Sequence, residues 1–540
     1  MQAQSNAQWD FEVRVVTWLA LCISVFSFLY YYRSGEIMLY GDAEAHINIA
    51  RRVFDSKTPG PLQLGTVWLP LPHLLMMPFL ASDKLWTSGV GGSIPSLVAY
   101  IFVVIGMFRL MRDVLRRKDD KSPGAHPAAW LAAAVIAFNP NLIYLQTTAM
   151  TEVLYLAFFI WAVVFFAEFL LGEAKSLTKC GWLVAASCLT RYDGWFLAGI
   201  LVAIVISLYF AKRVTLPIAS RFILIAAAAP ILWLAYNAVV YHNPLEFENG
   251  PYSAKAIEQR TENKNAPGHP GSGNVRLSAQ YFLKAAESNM SANESLQRFW
   301  IALLVAAAVA IFIEMSSGVS RGPLATVFLL AVPLPFYALS IAYAGVPIFI
   351  PAWWPFTQYN TRYGVQLLPA FAAAAAVVMG LLLAVKLRRN LIRILAVLVV
   401  LGFVVASYAT VWQSGPICLT EAETNMRGRL ALETQVAKWL DAMPPNATIL
   451  MYLGSYSGVL QRANVPISHV INEGNHRVWM QPRDNEGLWE RALADPSKYA
   501  DFVVAFEGGP VWQAVHNMHL KEVVEIQVTG QPRAIIYQAR

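Results

Sequence analysis

Apolar runs of about 18 residues or more recur along most of the chain, each long enough to cross a ~30 Å hydrocarbon layer. They fall at about 15–32, 94–110, 127–145, 152–171, 179–190, 194–211, 221–241, 297–315, 323–343, 364–385 and 393–412. The fifth is short and poorly bounded. This pattern predicts an α-helical polytopic membrane protein with about 11 transmembrane helices. Basic residues gather on every second connection: Arg109, Arg112, Arg116, Arg117, Lys118 and Lys121, then Lys175 and Lys179, then Lys212, Arg213 and Arg221, then Arg321, then Lys386, Arg388, Arg389 and Arg393. Those connections face the cytoplasm, so the N-terminus is expected inside and the C-terminus outside. A missed helix would put the later clusters on the wrong side.

Three outer segments are too long to be turns. The first, about 33–93, holds two apolar or amphipathic pieces at 43–54 and 69–80 that suit helices lying on the membrane surface. The second, about 242–296, is rich in Gly, Pro and Asn and reads as a loop. The third, 413–540, alternates as strands at 448–453, 502–506, 523–528 and 534–537, with helical periodicity at 430–440. The expected organisation is a transmembrane module over 1–412 and a small extracytoplasmic α/β domain over 413–540.

Composition agrees with this patterning. Of 540 residues, 56% are hydrophobic and 14% charged, against about 25% charged in a soluble globular domain. The net charge of +7 sits in short clusters between apolar spans, which argues against nucleic acid as a partner. The cysteines Cys22, Cys180, Cys188 and Cys418 form no CxxC, so neither a zinc site nor a disulfide framework is indicated.

Candidate chemistry begins just after the first span, in Gly41-Asp42-Ala43-Glu44-Ala45-His46. If a helix starts near Asp42, then Asp42 and His46 share a face at i, i+4 while Glu44 points elsewhere. A carboxylate at a dry boundary can act as general base or hold a cation; the bland reading is that Asp42 caps the helix. Glu152 opens a later span on the same outer side, where a helix dipole alone would favour an acid. Arg191 and Arg362 sit at outer helix ends in the same tripeptide context, Thr190-Arg191-Tyr192 and Thr361-Arg362-Tyr363. A guanidinium there calls for an anion, and phosphate matches its fork. For Arg191 an internal pair with Asp193 competes with ligand binding. Lys57, Arg51, Arg52 and His73 are weaker candidates, and Trp353-Trp354-Pro355-Phe356 is either an interfacial belt or a sugar-stacking surface.

On these residues the chain resembles the GT-C superfamily of membrane glycosyltransferases, above all bacterial relatives of the protein O-mannosyltransferases and the aminoarabinose transferase ArnT. The likeness rests on Asp42 and Glu44 after the first helix, the interfacial segment, Glu152 at an outer helix end, Arg362-Tyr363 before a Pro369-containing span, and an extracytoplasmic C-terminal domain. It departs where Ala43 separates two acids that are adjacent in the protein-modifying enzymes, and it lacks the Trp-Trp-Asp signature of oligosaccharyltransferases. The resemblance implies a multi-pass protein of the bacterial cytoplasmic (inner) membrane and an inverting transfer from a polyprenyl-phosphate-linked sugar to a lipid, glycan or protein acceptor. Such a transfer needs a carboxylate to take the acceptor's proton, which assigns Asp42 as base, Glu44 and Glu152 as orienting or metal-binding acids, and Arg362, Arg191 and Lys57 to the donor phosphate. A divalent metal ion (Mg or Mn) on Asp42 and His46 is the cofactor to test. The rival class, a transporter or lipid-linked-glycan flippase, would place its ionisable residues near the bilayer midplane in repeated halves; here they collect at one face.

Overall fold

The computed structural model describes residues 2–116, 127–261, 268–316, 322–384, 390–475 and 487–540. Arg117, Lys118, Lys121, Arg321, Lys386, Arg388 and Arg389, used above for orientation, lie outside the described residues. Among those described, nine helices are long and apolar enough to cross a membrane. Thr361–Leu383 is the most enclosed, at 78% of its apolar window, and Phe11–Arg33 lies at the rim with 17%. Small side chains make that centre possible: Ala372, Ala373, Ala375 and Ala376 are fully buried, allowing close helix approach.

Two of the eleven expected spans differ from expectation. The run 127–145 breaks into Pro127–Ala137 and Pro140–Leu145. Pro140 cannot donate to the helical ladder, and Asn139 instead caps the second piece by accepting from the Leu142 N–H at 3.0 Å. The expected run 179–190 is the end of a 15-residue helix, Ala174–Cys188. Its ~22 Å length at 1.5 Å per residue falls short of a bilayer core, and its first turns carry Lys175 and Lys179.

Helix α1 (Gln2–Arg33) leads through a short turn into α2 (Gly41–Arg52), and α3 (Leu71–Leu80) follows; both short helices fall where surface helices were expected. In α2 the acids Asp42 and Glu44 occupy the first turn and Arg51 and Arg52 the last, which suits the helix dipole at both ends. Ala43, Ile47 and Ala50 form its fully buried stripe.

Beyond the last apolar helix, Ile417–Asp441 runs into a five-stranded sheet of order β2-β1-β3-β5-β4. The strands are β1 (Ile449–Met451), β2 (Val470–Ile471), β3 (Phe502–Phe506), β4 (Lys521–Ile526) and β5 (Ala534–Gln538). β1 pairs parallel with β2 and β3, and β5 lies antiparallel between β3 and β4. The four expected strands are present; β2, two residues long, was not anticipated. Helix Ile417–Asp441 is bonded to the helix ends beneath it: Tyr40 donates to the Cys418 carbonyl at 2.7 Å, and the Cys418 N–H donates to Asn141 at 2.9 Å.

Candidate active site

Four chain segments bring charge to one place. Asp42 comes from the first turn of α2, Glu152 from the start of Glu152–Leu170, Arg191 from the turn before Asp193–Phe210, and Arg362 from the 3-10 turn Thr361–Leu367. That turn is entered through Asn360 at φ 56°, a left-handed conformation Asn tolerates. Gly364 lets it approach the helix Val275–Ser288, because a Cβ there would stand 2.5 Å from the Ala285 and Ala286 backbone.

The Arg362 guanidinium, 4% exposed, joins three carboxylates. It donates from Nη2 to Asp42 Oδ2 at 2.5 Å, from Nη1 to Glu421 Oε1 at 2.8 Å and from Nε to Glu152 Oε1 at 3.3 Å. Arg191 reaches the same Glu152 oxygen at 3.2 Å, Asp193 at 3.3 Å, Thr151 at 3.0 Å and the Tyr337 hydroxyl at 2.8 Å. The Tyr363 ring lies 5.0 Å from the Arg362 guanidinium and 5.1 Å from that of Arg191, a cation–π arrangement for both. Of five N–H donors on each guanidinium, two on Arg362 and one on Arg191 have no acceptor among the described residues.

A cavity of about 370 Å³ opens over this cluster, lined by Asp42, His46, Trp68, Glu152, Arg191 and Arg362 among others. The Asp42 side chain is 43% exposed, while Glu152 is sealed. Only Oδ2 of Asp42 is engaged by described residues, so Oδ1 is free to face a ligand. Glu152 Oε2 is buried without a hydrogen-bond partner. Arg191 thus pairs with Asp193 and also lines the cavity.

Two expected site residues are elsewhere. Glu44, two residues past Asp42, is turned some 200° around the helix. It is fully buried against Arg429 Nη2 and Arg462 Nη1, each at 2.8 Å. Lys57 follows the end of α2 with an exposed side chain and is not on the cavity wall. Trp353 and Trp354 also lie off it; Trp353 packs edge-on against Tyr281, with centroids 5.0 Å apart. Sequence reasoning missed Glu421, whose Oε2 also accepts from the Thr361 N–H at 2.5 Å and from its hydroxyl, and it missed Trp68, Tyr337 and Lys255 on the wall.

Each proposed metal ligand has one of its two donor atoms engaged within the chain. Asp42 gives Oδ2 to Arg362, and His46 Nδ1 lies 2.8 Å from His73 Nε2. Among the described residues no three His, Cys, Asp or Glu are grouped to hold an ion. Asp42 Oδ1 and His46 Nε2 alone fall short of the set of about six or more oxygen ligands that a hard divalent ion takes, so the donor set does not fit the expected site.

Nearly the whole chain shares its fold with solved structures. ArnT from Cupriavidus metallidurans, in a structure bound to undecaprenyl phosphate, matches with a TM-score of 0.59 over 98% of both chains at 13% identity. Its apo structure matches with a TM-score of 0.56 over 96% of this chain and 98% of that one. The fold is the GT-C fold. An Archaeoglobus fulgidus oligosaccharyltransferase bound to an inhibitory peptide and a dolichol-phosphate aligns at a TM-score of 0.48 and 12% identity, covering 92% of this chain and 69% of that one. No protein-family model and no curated protein matches the sequence.

Proposed function

We propose that this GT-C chain is an inverting glycosyltransferase that moves a sugar from a polyprenyl phosphate to an acceptor at the outer face of the membrane. The observation carrying this reading is the contact of Asp42 with Arg362 on one cavity wall, a partly free carboxylate beside a guanidinium with donors to spare. Asp42 takes the proton of the acceptor hydroxyl as its oxygen bonds to the anomeric carbon. The bond from that carbon to the phosphate oxygen breaks with its electron pair, and polyprenyl phosphate leaves. This is the inverting logic of paired-carboxylate glycosidases with an alcohol in place of water. The unused N–H donors of Arg362 and Arg191 meet the charge that grows on the leaving phosphate, where preorganised donors act most strongly. Glu152 bridges the two guanidiniums and holds them in place.

A lipid donor suits the surroundings. An apolar hollow of about 550 Å³, lined by Leu75, Phe79, Val98, Phe102, Leu154 and Phe158, lies along the same helix that starts at Glu152, and an isoprenoid chain would lie against such a surface. Undecaprenyl phosphate bound to ArnT supports the same donor class. The test is mass spectrometry of lipid-linked sugars and envelope glycans from cells with the wild-type protein, the Asp42→Asn variant, or none. A glycan lost in the last two, with its lipid-linked sugar accumulating, is the expected result. Unchanged lipid-linked and envelope glycans would reject it.

A further inference from the structure

One turn beyond Asp42 on the cavity face of α2, His46 is 3% exposed and His73, from α3, is fully buried. Their nitrogens, His46 Nδ1 and His73 Nε2, are 2.8 Å apart, so one proton lies between them. Which ring owns it follows from the far side of the pair. His73 Nδ1 is buried with no hydrogen-bond partner among the described residues. A proton on that atom would strand an N–H in the interior, and orphaned buried donors are the rarer defect. With the proton on His73 Nε2, the donor is used in the 2.8 Å bond and only a lone pair is buried. His46 Nδ1 is then the acceptor, and the single proton of the neutral His46 ring sits on Nε2. That atom has no partner among the described residues and is not sealed, and His46 lines the cavity. The arrangement also gives both rings the Nε2–H form, the commoner one in a free neutral imidazole. Burial, with Arg191 and Arg362 adding to it, pushes His46 down to about 3, so the ring is uncharged under working conditions.

We propose that His46 binds the lipid-linked substrate as a fixed hydrogen-bond donor, its Nε2–H directed at an oxygen of the glycosyl phosphate, with His73 as the positioning residue that sets the tautomer. Trp68, also on the cavity wall, packs against the imidazole with ring centroids 4.5 Å apart and planes tilted by 46°. The ligand half of this proposal rests on the transferase reading above; the tautomer half does not. An acceptor oxygen fits such a donor, whereas a metal ion or a protonated amine does not.

Two measurements test it on the full chain in lipid nanodiscs. Nitrogen-15 NMR of histidine-labelled protein, assigned with His46→Gln and His73→Gln, should find His46 neutral and protonated on Nε2 at pH 6. An Nδ1–H or charged ring would overturn the tautomer. Binding of undecaprenyl phosphate, with and without a hexosyl group, is then titrated by native mass spectrometry. His46→Leu should weaken binding roughly 10-fold, the scale of one lost hydrogen bond, and His46→Gln, which still offers an N–H, should restore most of it. His73→Gln keeps a donor towards His46 and should bind normally; His73→Glu presents an acceptor, reverses the tautomer and should bind as poorly as His46→Leu. A loss on both lipids identifies a phosphate oxygen as the acceptor, and a loss confined to the hexosyl lipid identifies a sugar hydroxyl. Equal binding of both lipids by His46→Leu and wild type would overturn the proposal. Wild-type protein that takes up neither lipid would overturn the transferase reading and the ligand half together, with the tautomer decided separately by NMR.

Discussion

Two carboxylates two residues apart on α2 have opposite surroundings. Asp42 faces a cavity, has one oxygen free and keeps 43% of its side chain exposed. Glu44 faces the C-terminal region and is sealed, with Arg429 and Arg462 each at 2.8 Å and Glu433 sharing both cations at 3.6 and 3.5 Å. Even the backbone beside it is fitted to the cluster: a Cβ on Gly458 would stand 2.5 Å from Glu44 and 2.6 Å from Glu433. A fully paired, fully buried charge has nothing left to offer a substrate. The difference teaches that one short helix does two jobs, presenting Asp42 and His46 to the cavity on one face and docking the C-terminal region with the other.

The sharpest way to break that comparison is to remove the buried acid. Glu44→Ala leaves two guanidiniums beside a single carboxylate in a dry site and should cost about 3–5 kcal/mol, read as a fall in thermal stability or in the folded yield. Turnover per folded molecule should change little. On the other face, Arg362→Lys keeps the charge but loses the fork. Losing one charge-assisted bond at roughly 1.5–3 kcal/mol predicts a 10- to 150-fold fall in donor use, measured by donor titration with acceptor affinity intact. Normal donor use would make Arg362 a purely structural anchor for Asp42, Glu152 and Glu421.

A third contrast separates the faces by pH. Burial, then the two guanidiniums, lowers His46 from 6.5 to about 3, and burial, then His46 and Arg52, holds His73 well below its usual value. Folded values below the unfolded one mean that the unfolded chain binds the extra protons. Stability is therefore full above about pH 6.5 and falls towards pH 3, by up to ~1.4 kcal/mol per pH unit for each histidine. Melting curves between pH 7.5 and 5 should flatten in the His46→Gln, His73→Gln double variant. The Glu44 cluster titrates with the opposite sign. Burial, then Glu44, raises Glu433 to about 7, so its contribution is present at low pH and lost as pH rises through about 7. Glu44→Ala removes part of that shift and should steepen the acid loss where the histidine double variant flattens it.

The spans were legible because long apolar runs report a bilayer directly. The break at Asn139-Pro140 was written in the sequence too, but within a run whose hydropathy masks it. Arg191 and Arg362 were legible as charges that membrane insertion alone would disfavour, and Asp42 and Glu152 as acids gathered on the same outer side. Glu421 was not, because its partner Arg362 lies 59 residues earlier and an acid in a polar helix carries no local signal. The His46–His73 bond spans 27 residues and is equally invisible in a linear reading. Glu44 was placed with Asp42 as a catalytic acid on the strength of the resemblance, although helical spacing alone already turned it away. Lys57 had charge to recommend it but no packing to hold it. Strand β2 is too short to alternate.

The central claim, that α2 places its catalytic acid on the cavity face only, is tested most directly by measuring Asp42→Asn and Glu44→Gln side by side for melting temperature and sugar transfer. Asp42→Asn should melt near wild type, since the amide oxygen still accepts from Arg362 while Glu152 and Glu421 still balance its buried charge. It should lose at least ~10²-fold in transfer, the scale of a general base. Glu44→Gln should melt lower and turn over normally once corrected for folded protein. Near-wild-type transfer by Asp42→Asn, with transfer lost in a Glu44→Gln protein of unchanged stability, would contradict the assignment and exchange the roles of the two faces.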